Sequence, residues 1–401
     1  MPTWLKNNFA PVANTLRLMR ARHKHKTVRF KVGDMRRFYA ELREHSIPYV
    51  VLRWLDEVPL DTQNPAKLDL DIDHLIDRNA IAKIKELASK NPGRAKCDFY
   101  SVNGERGSAY RGLPYMPPAF ATEVLAHREL RPDGVFAPDA KHLFLAFAFH
   151  LVYHKGTECG IDTGLAGVTP HTHAKRDYAA ELKRTAAACD IPLPTHLTLL
   201  NLHELLQSHN WNMPLDLMVR WPNQHSVLKA LAANEEAKYA PLLPACADLN
   251  IFVLRSDCVG ADSIALATRM IKERFTVLDF IELDPQQVRA LSRQTRGGNW
   301  IEKKQIEPIS PTHLFVCKQA QNPGPLPPNM SAAKIAKRYP HVTHTDILIK
   351  RNIRDAVNDL LGGPAKRIVL HATDNPAEAA EALVALKGEA VQEYLNAIRA
   401  N

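Results

Sequence analysis

The feature that most constrains this chain is the segment from residue 67 to 76, in which aspartates alternate with aliphatic residues. It reads Lys-Leu-Asp-Leu-Asp-Ile-Asp-His-Leu-Ile, so Asp69, Asp71 and Asp73 occupy every second position. Strict alternation predicts a β-strand, because successive side chains of a strand point to opposite faces of the sheet. We therefore expect the three carboxylates on one face, spread over roughly 14 Å, and the aliphatic residues in a core on the other.

Two interpretations of this acidic face are open. Carboxylates so close together repel one another unless a cation lies between them, and hard divalent ions such as Mg²⁺ favour oxygen ligands of this kind. The alternative is an amphipathic strand whose acidic face is solvated. The neighbouring segments favour a site, because buried strands are predicted at 47–54 and at 95–102, and the second of these carries a further acid, Asp98.

This arrangement resembles the polymerase-β-type nucleotidyltransferase fold. An apolar strand and turn precede a strand bearing Asp-x-Asp, and a later strand carries a third acid. The run from Asp71 to Ile76 is similar to the core motif of nucleotidyltransferases found among cell-surface glycan genes. The resemblance implies that Asp71 and Asp73 bind Mg²⁺ or Mn²⁺ and that Asp98 completes a catalytic site. It also implies in-line attack of a hydroxyl or phosphate on the α-phosphate of a nucleoside triphosphate.

The turn after the first strand departs from that family. The family places Gly-Gly or Gly-Ser there, which lets the triphosphate approach the backbone. This chain has Arg53-Trp54 instead, with no glycine from there to Asp69. Either Arg53 has taken over a phosphate contact, or the site is altered or inactive.

Composition limits the class of protein. At 401 residues, with 45% hydrophobic and 24% charged residues, the chain should form two or three globular domains. Its net charge of +9 suggests polyanionic partners such as nucleotides, nucleic acid or anionic membranes. The six cysteines are scattered without a CxxC pair, which predicts free thiols in a reducing cytoplasm and disfavours structural zinc. The sequence has neither a long apolar span nor a signal-like apolar segment, so we expect a cytoplasmic protein.

Residues 1–33 form a strongly basic segment without an acid, which we expect to be a separable arm. It contains Lys6, Arg17, Arg20, Arg22, Lys24, Lys26, Arg29 and Lys31. Contact with an anionic membrane surface or nucleic acid is one interpretation of this charge. An organellar targeting segment and a solvated arm are the others.

Further domains follow from changes in periodicity. We assign a nucleotidyltransferase-like domain to 34–137 and a helical extension to 138–245. In that extension His150 and His154 are one helical turn apart, which is typical of a metal pair but also of packed or hydrogen-bonded histidines. From 246 to 401, alternating strands and helices predict a ferredoxin-like βαββαβ domain.

The ends of this last domain resemble nucleoside diphosphate kinases. Where that family has Lys-Pro-Asp-Gly-Val, this chain has Arg-Ser-Asp-Cys-Val from Arg255. Where the family has His-Gly-Ser-Asp-Ser, it has His-Ala-Thr-Asp-Asn from His371. The resemblance implies that His371 is a phosphorylated nucleophile, that Arg255 binds phosphate, and that Thr373 and Asp374 hold the turn.

Other parts of the kinase pattern match less well. Arg351, Arg354 and Arg367 are the cations available around a phosphoryl group on the histidine. The asparagine that the family has three positions before the nucleophile is Ile368 here.

The sequence therefore predicts an α+β protein with a nucleotidyltransferase-like mixed sheet, a helical extension and a ferredoxin-like domain. We expect a metal-dependent nucleotidyltransferase joined to a nucleoside diphosphate kinase-like domain, acting in surface polysaccharide biosynthesis on an unidentified phosphate- or hydroxyl-bearing acceptor. Two alternatives stay open. One is a non-catalytic nucleotide- or RNA-binding protein, and the other is phosphotransfer at His371 alone.

Overall fold

The computed structural model describes residues 3–60, 71–294, 310–318, 331–338, 342–343, 349–363 and 367–400. The chain divides into two compact units. The N-terminal unit comprises 1–212 and 221–230, and the C-terminal unit comprises 213–220 and 231–401. Each combines helices with a four-stranded sheet, as expected for the α+β class. Asp69, the first acid of the alternating segment, lies outside the described residues.

The main elements of the N-terminal unit are, in chain order, α1 (Thr3–His23), β1 (Val28–Val32), α2 (Met35–Glu44), β2 (Tyr49–Val51), β3 (Asp71–Ile76), α3 (Ile81–Lys90), β4 (Ala95–Ser101), α4 (Pro118–Ala126), β5 (Arg128–Leu130), β6 (Phe136–Pro138), α5 (Ala140–His150), α6 (Tyr178–Ala187) and α7 (Leu199–Ser208). Short 3-10 turns occur at Leu55–Glu57 and Gly156–Cys159, and a π-helical turn at Leu151–Lys155 continues α5. The strands β2, β3 and β4 lie within the segments predicted as strands at 47–54, 67–76 and 95–102.

The sheet of this unit has the order β1-β4-β3-β2. β3 runs parallel to β4, which requires the crossover helix α3 between them. β1 is antiparallel to β4, and β2 is antiparallel to β3. One face of the sheet packs on α2 and α3 in an apolar core that includes Ile72, Phe99 and Ile84.

β1 corrects the prediction that residues 1–33 are a separable arm. Val28, Phe30 and Val32 are buried in the same core, and the residues between them are exposed. α1 is also held in place, since the Asn14 side chain donates to Ser89 of α3 at 3.1 Å. The basic segment is therefore part of the folded unit, because its alternating apolar residues complete the edge of the sheet.

The helices from α5 to α7 belong to the N-terminal unit and do not form a domain of their own. α5 is buried on almost every side, with Phe144, Phe147 and Phe149 all inaccessible to solvent. Such an all-apolar helix requires cover from its neighbours, so it cannot be an independent extension. In the described part of the chain, no helix combines the length and apolarity needed to cross a membrane.

The C-terminal unit contains α8 (Leu215–Met218), most of α9 (Ser226–Lys238), α10 (Leu243–Cys246), β7 (Leu249–Arg255), α11 (Ala261–Lys272), β8 (Thr276–Glu282), α12 (Pro285–Gln294), β9 (Pro311–Lys318), α13 (Ala332–Arg338), α14 (Ile349–Leu361), β10 (Leu370–Ala372), α15 (Pro376–Lys387) and α16 (Val391–Ala400). A short 3-10 turn lies at Gly388–Ala390. Its sheet has the order β10-β7-β9-β8, and all neighbouring strands are antiparallel.

β7 is the most buried strand of this sheet, because helices cover both of its faces. Ile251 and Val253 enter a core that contains α15 and α16. Phe252 and Leu254 enter a second core that contains α11 and α14. His371 lies opposite Val253 on β10, which is an edge strand of this sheet, and its side chain is nonetheless buried.

Candidate functional site

The register of β3 and β4 brings three acids to one face of the N-terminal sheet. Asp73 lies directly opposite Asp98 on the neighbouring parallel strand, and Asp71 lies two residues before Asp73. Residues paired in register share a face, and so do residues two apart in a strand. The predicted grouping of Asp71, Asp73 and Asp98 on one face is therefore present.

An arginine from β1 holds two of these acids. Arg29 lies opposite Asp98 in the antiparallel register. Its Nε and Nη2 donate to the two carboxylate oxygens of Asp98 at 3.0 and 2.7 Å, and Nη2 also contacts Asp71 Oδ2 at 2.9 Å. The guanidinium therefore lies between the two carboxylates, in the position where the repulsion argument requires a cation.

A second arginine holds the third acid. Arg53, just after β2, donates from Nη2 to Asp73 Oδ2 at 2.6 Å and from Nη1 to the Tyr115 hydroxyl at 2.8 Å. That hydroxyl in turn contacts His150 Nδ1 at 2.6 Å. The Arg53 side chain is nearly buried, so it orients Asp73 and is not open to a phosphate in this arrangement. We call Asp71, Asp73, Asp98, Arg29 and Arg53 the N-terminal charge cluster.

The members of this cluster differ in exposure. The side chains of Arg29 and Asp71 are 45% and 46% exposed, whereas that of Asp98 is 8% exposed. Burial raises the pKa of Asp98, the hydrogen bond from Arg29 opposes this effect, and the charge of Asp73 adds to it. The hydrogen bond to Asp98 raises the pKa of Arg29. The Arg29 guanidinium therefore stays charged, and it is the half-exposed member of the pair.

The opposite face of β3 is anchored by a neutral histidine. His74 stacks on Phe99 at a centroid distance of 4.6 Å, and its Nε2 contacts the Tyr39 hydroxyl at 3.0 Å. Complete burial lowers the pKa of His74 to about 4. The packed aromatic residues on this opposite face therefore hold in place the strand that carries Asp71 and Asp73.

Trp54 occupies the turn where the resembling family has glycine. Its backbone is in the left-handed region, with φ 57° and ψ 43°, a conformation that is costly for a bulky residue. The guanidinium of Arg176 lies 4.1 Å from the Trp54 ring centroid, and Phe147 and Tyr178 contact the ring edgewise. The turn therefore has a glycine-like backbone, but an indole fills the space beside it.

Among the described residues, no three His, Cys, Asp or Glu side chains converge closely enough to hold one metal ion. At the N-terminal charge cluster the arginines supply the positive charge. The pair His150 and His154 is also accounted for by hydrogen bonds, since His154 Nε2 contacts the Tyr115 carbonyl at 2.8 Å. Burial lowers the pKa of His150 well below its ordinary value and that of His154 to about 3, so both rings are neutral.

The C-terminal candidates are more deeply buried. β10 pairs with β7 as the kinase resemblance requires, but His371 is only 6% exposed and Arg255 only 4%. Arg255 Nε lies 3.6 Å from Asp257 Oδ1, so an acid is already close to this cation. An imidazole covered to this extent is not open to a nucleotide in this conformation.

Thr373 and Asp374 have structural contacts. The Thr373 hydroxyl accepts a hydrogen bond from the Ile251 backbone at 3.1 Å, which extends the pairing of β10 with β7. Asp374 accepts from Lys350 Nζ at 2.6 Å and also pairs with Arg220, whose guanidinium lies 3.9 Å from Glu378. We call Asp374, Glu378, Lys350 and Arg220 the C-terminal charge cluster.

The three arginines predicted to surround a phosphoryl group have different surroundings. Arg354 donates from Nε to the Leu370 carbonyl at 2.7 Å, beside His371. Arg351 is largely exposed and lies 3.9 Å from Asp355, one turn along α14. The backbone of Arg367 exchanges hydrogen bonds with the Asn358 side chain. Arg354 and Arg367 therefore take part in hydrogen bonds that involve backbone atoms, and Arg351 lies close to an acid on the surface of its own helix.

The sequence alone points to Arg53 but does not identify Arg29, Lys350 and Arg220 as partners of these acids. It assigns Arg29 to a basic arm, although the alternation of Val28, Phe30 and Val32 around it is a signal for a strand. Tyr115, Lys350 and Arg220 have no local signal, because each reaches its partner only through the tertiary fold.

Comparison with protein-family models, with curated proteins and with solved structures gives no significant match to this chain.

Proposed function

We propose that the N-terminal unit is a nucleotidyltransferase-like domain that binds the phosphates of a nucleoside triphosphate at the N-terminal charge cluster. The observation that carries this proposal is the register of Asp73 opposite Asp98, with Asp71 on the same face. The order β2, β3, α3, β4 around these acids supports the same fold. Transfer to an acceptor in surface polysaccharide assembly remains a prediction from the sequence.

The three carboxylates supply the oxygen donors that a divalent cation prefers, but they do not converge closely enough to hold one ion while Arg29 lies between them. Three carboxylates share one face, and a cation, the Arg29 guanidinium, already lies between Asp71 and Asp98. Because Arg29 is half exposed, it can leave that position without unfolding the core. Asp71, Asp73 and Asp98 would then hold Mg²⁺ or Mn²⁺, which supplies charge stabilisation for the attacking and leaving oxygens.

The arginines and the turn act on the substrate in different ways. Arg29, on the exposed side of the cluster, would pair with a phosphate oxygen once released from the carboxylates. Arg53 is fixed by Asp73 and Tyr115 and keeps Asp73 oriented. Trp54 narrows the space beside the turn, so the triphosphate would contact side chains here and not the turn backbone.

For the C-terminal unit we propose a ferredoxin-like βαββαβ core. Its sheet order, β10-β7-β9-β8, places the first and third strands of the unit at the centre, which supports this topology. Phosphotransfer at His371 is not part of the proposal, because the imidazole is buried.

A non-catalytic nucleotide-binding protein is the second candidate. The observation that favours it is the pairing of all three acids with arginines, together with the indole of Trp54 in the turn. In that case Arg29 would keep its place, and binding would not require a divalent ion.

Equilibrium dialysis of the full chain with each labelled nucleoside triphosphate, with and without Mg²⁺, tests the proposal. We expect Mg²⁺-dependent binding and release of pyrophosphate, both lost in Asp71→Asn. Glu86→Gln is the matched control, because Glu86 is 44% exposed on α3, where it pairs with the nearby Lys83 and Lys90. Binding that is indifferent to Mg²⁺ and to Asp71→Asn, without pyrophosphate, would favour the second candidate.

A further inference from the structure

The helix α1 has apolar residues on two opposite faces. Its inner face is buried through Ala10, Leu18 and Ala21, which recur at helical spacing with the buried Asn14. The hydrogen bond from Asn14 to Ser89 joins this face to α3. The inner face therefore needs no further partner.

The outer face carries an exposed aliphatic stripe. Val12, Leu16 and Met19 are 58%, 60% and 60% exposed and are spaced four and three residues apart. At about 100° per residue they lie on one side of the helix, roughly opposite the buried face. They are among the most exposed large apolar residues in the described part of the chain. Such a stripe on a folded surface marks an interaction site more often than a scattered apolar residue does.

Basic residues flank the stripe on both sides. Arg20 and Arg22 are exposed, and at about 100° per residue each falls within roughly 90° of the centre of the stripe. Lys24 and Lys26 are exposed just beyond the helix. The sequence has no acid before Asp34, so α1 itself carries charge of one sign only.

We propose that the outer face of α1 binds the surface of an anionic phospholipid membrane, with the helix lying parallel to it. Val12, Leu16 and Met19 would enter the boundary between headgroups and acyl chains, and Arg20 and Arg22 would contact lipid phosphates. An apolar stripe between arginines is the pattern that this binding mode requires. Electrostatic attraction to the anionic leaflet adds to the burial of the stripe.

Two other partners, nucleic acid and a second copy of α1, would each account for only one of the two features of this surface. Nucleic acid would use the arginines but leaves three exposed aliphatic side chains without a role. A second copy of α1 would cover the stripe but bring the arginines of both helices together, with no acid on either helix to compensate. Of these three partners, the anionic lipid surface is the one that satisfies both features.

The helix is already ordered by its contact with α3 and by the pairing of β1 with β4. Membrane binding would therefore not require folding of a disordered segment, and its cost in conformational entropy is small. The same ordering makes the stripe accessible to substitution without disturbing the core.

Flotation of the full-length protein with vesicles tests the proposal. We expect binding to vesicles of phosphatidylcholine with phosphatidylglycerol, weak binding to phosphatidylcholine alone, and a decrease at high salt. Arg20→Glu with Arg22→Glu should weaken binding by at least about tenfold, since each basic residue near an anionic surface contributes about fivefold. Leu16→Ser with Met19→Ser should weaken it by a similar factor.

Matched controls come from the other unit. Leu360→Ser and Val259→Ser change residues of comparable exposure, and Arg269→Glu with Lys272→Glu reverses exposed charges on α11. These controls should leave vesicle binding unchanged. Equal binding by the stripe variant and wild type would overturn the proposal. So would binding of RNA but not vesicles, or a dimer in sedimentation equilibrium that the stripe variant abolishes.

Discussion

The two charge clusters of this protein contain the same kinds of groups but differ in access to solvent. In the N-terminal charge cluster, Arg29 and Asp71 are about half exposed. In the C-terminal charge cluster, Asp374 is 2% exposed, and Lys350 and Arg220 are largely covered. Exposed ion pairs exchange partners at little cost, whereas a buried pair can be broken only with a large loss of stability. The pairs of the first cluster can therefore exchange partners more easily than those of the second, which stabilise the fold.

The difference in solvent access distinguishes the nucleotidyltransferase-like region from the kinase-like region, although the sequence suggests a functional site in both. Both regions have an acid or histidine at a strand end with arginines nearby. In the N-terminal cluster the Arg29 side chain is about half exposed to solvent, whereas His371 and Arg255 in the other unit are buried.

Asp374→Asn should have the largest effect and destabilise the C-terminal unit by roughly 3–5 kcal/mol, because Lys350 and Arg220 lose an anionic partner while staying largely buried. Hydrogen exchange of β7 and β9 peptides in denaturant would measure this loss. The control is Asp355→Asn, whose carboxylate is 46% exposed and lies 3.9 Å from Arg351. It should cost less than about 1 kcal/mol. Similar losses for both variants would contradict the structural role of the buried cluster.

Lowering the pH should change the stability of the two units in opposite directions. The folded pKa of His74 is lowered to about 4, so the unfolded chain binds a proton first and the N-terminal unit loses stability as pH falls from about 6.5 to 4. The loss approaches about 3 kcal/mol. In the C-terminal unit, burial raises the pKa of Glu381 well above its ordinary value, so the unfolded chain loses this proton first and the stability of the unit falls as pH rises above the ordinary pKa of a glutamate.

Hydrogen exchange across pH 4 to 7 would resolve these opposite slopes unit by unit. His74→Gln should remove most of the acid-side loss in β3 and β4, and Glu381→Gln should flatten the opposite slope in β7. If His74→Gln leaves the acid-side slope of β3 and β4 unchanged, the histidine is not its cause.

Arg29→Gln should have a moderate effect on stability, about 2 kcal/mol, because it removes hydrogen bonds to the charged Asp98. The same change should increase affinity for Mn²⁺, measured by the loss of the free-ion electron paramagnetic resonance signal, because the competing cation is gone. Arg37→Gln, in an exposed pair with Glu41 on α2, is the control. Unchanged or weaker Mn²⁺ binding in Arg29→Gln would argue against a divalent ion at this cluster.

Tyr115→Phe should have the smallest effect, about 1 kcal/mol, because the hydroxyl links Arg53 to His150 without carrying charge. Urea unfolding monitored by tryptophan fluorescence would measure it. Tyr110→Phe is the nearby control, since the Tyr110 ring stacks on Trp221 at a centroid distance of 5.7 Å and phenylalanine keeps that contact. A loss in Tyr115→Phe comparable to that of Asp374→Asn would show that the N-terminal cluster is held as rigidly as the buried one.

Most of the secondary structure follows from the sequence alone. The alternation along 67–76 predicts β3, the strands predicted at 47–54 and 95–102 contain β2 and β4, and the alternation of strands and helices predicted after residue 246 is present from β7 onwards. These patterns are local, because the repeat of a strand or helix is set by backbone geometry within a few residues. The same alternation is sufficient to place Asp71 and Asp73 on one face of a strand.

The partners of those acids are decided by the tertiary structure. Arg29 is 69 residues from Asp98 in sequence and reaches it only because β1 joins the sheet beside β4. The burial of His371 likewise depends on helices that cover β10, which no motif around the histidine specifies. Local periodicity sets which face a side chain occupies, but the charge and the cover it meets there depend on which distant elements become its neighbours.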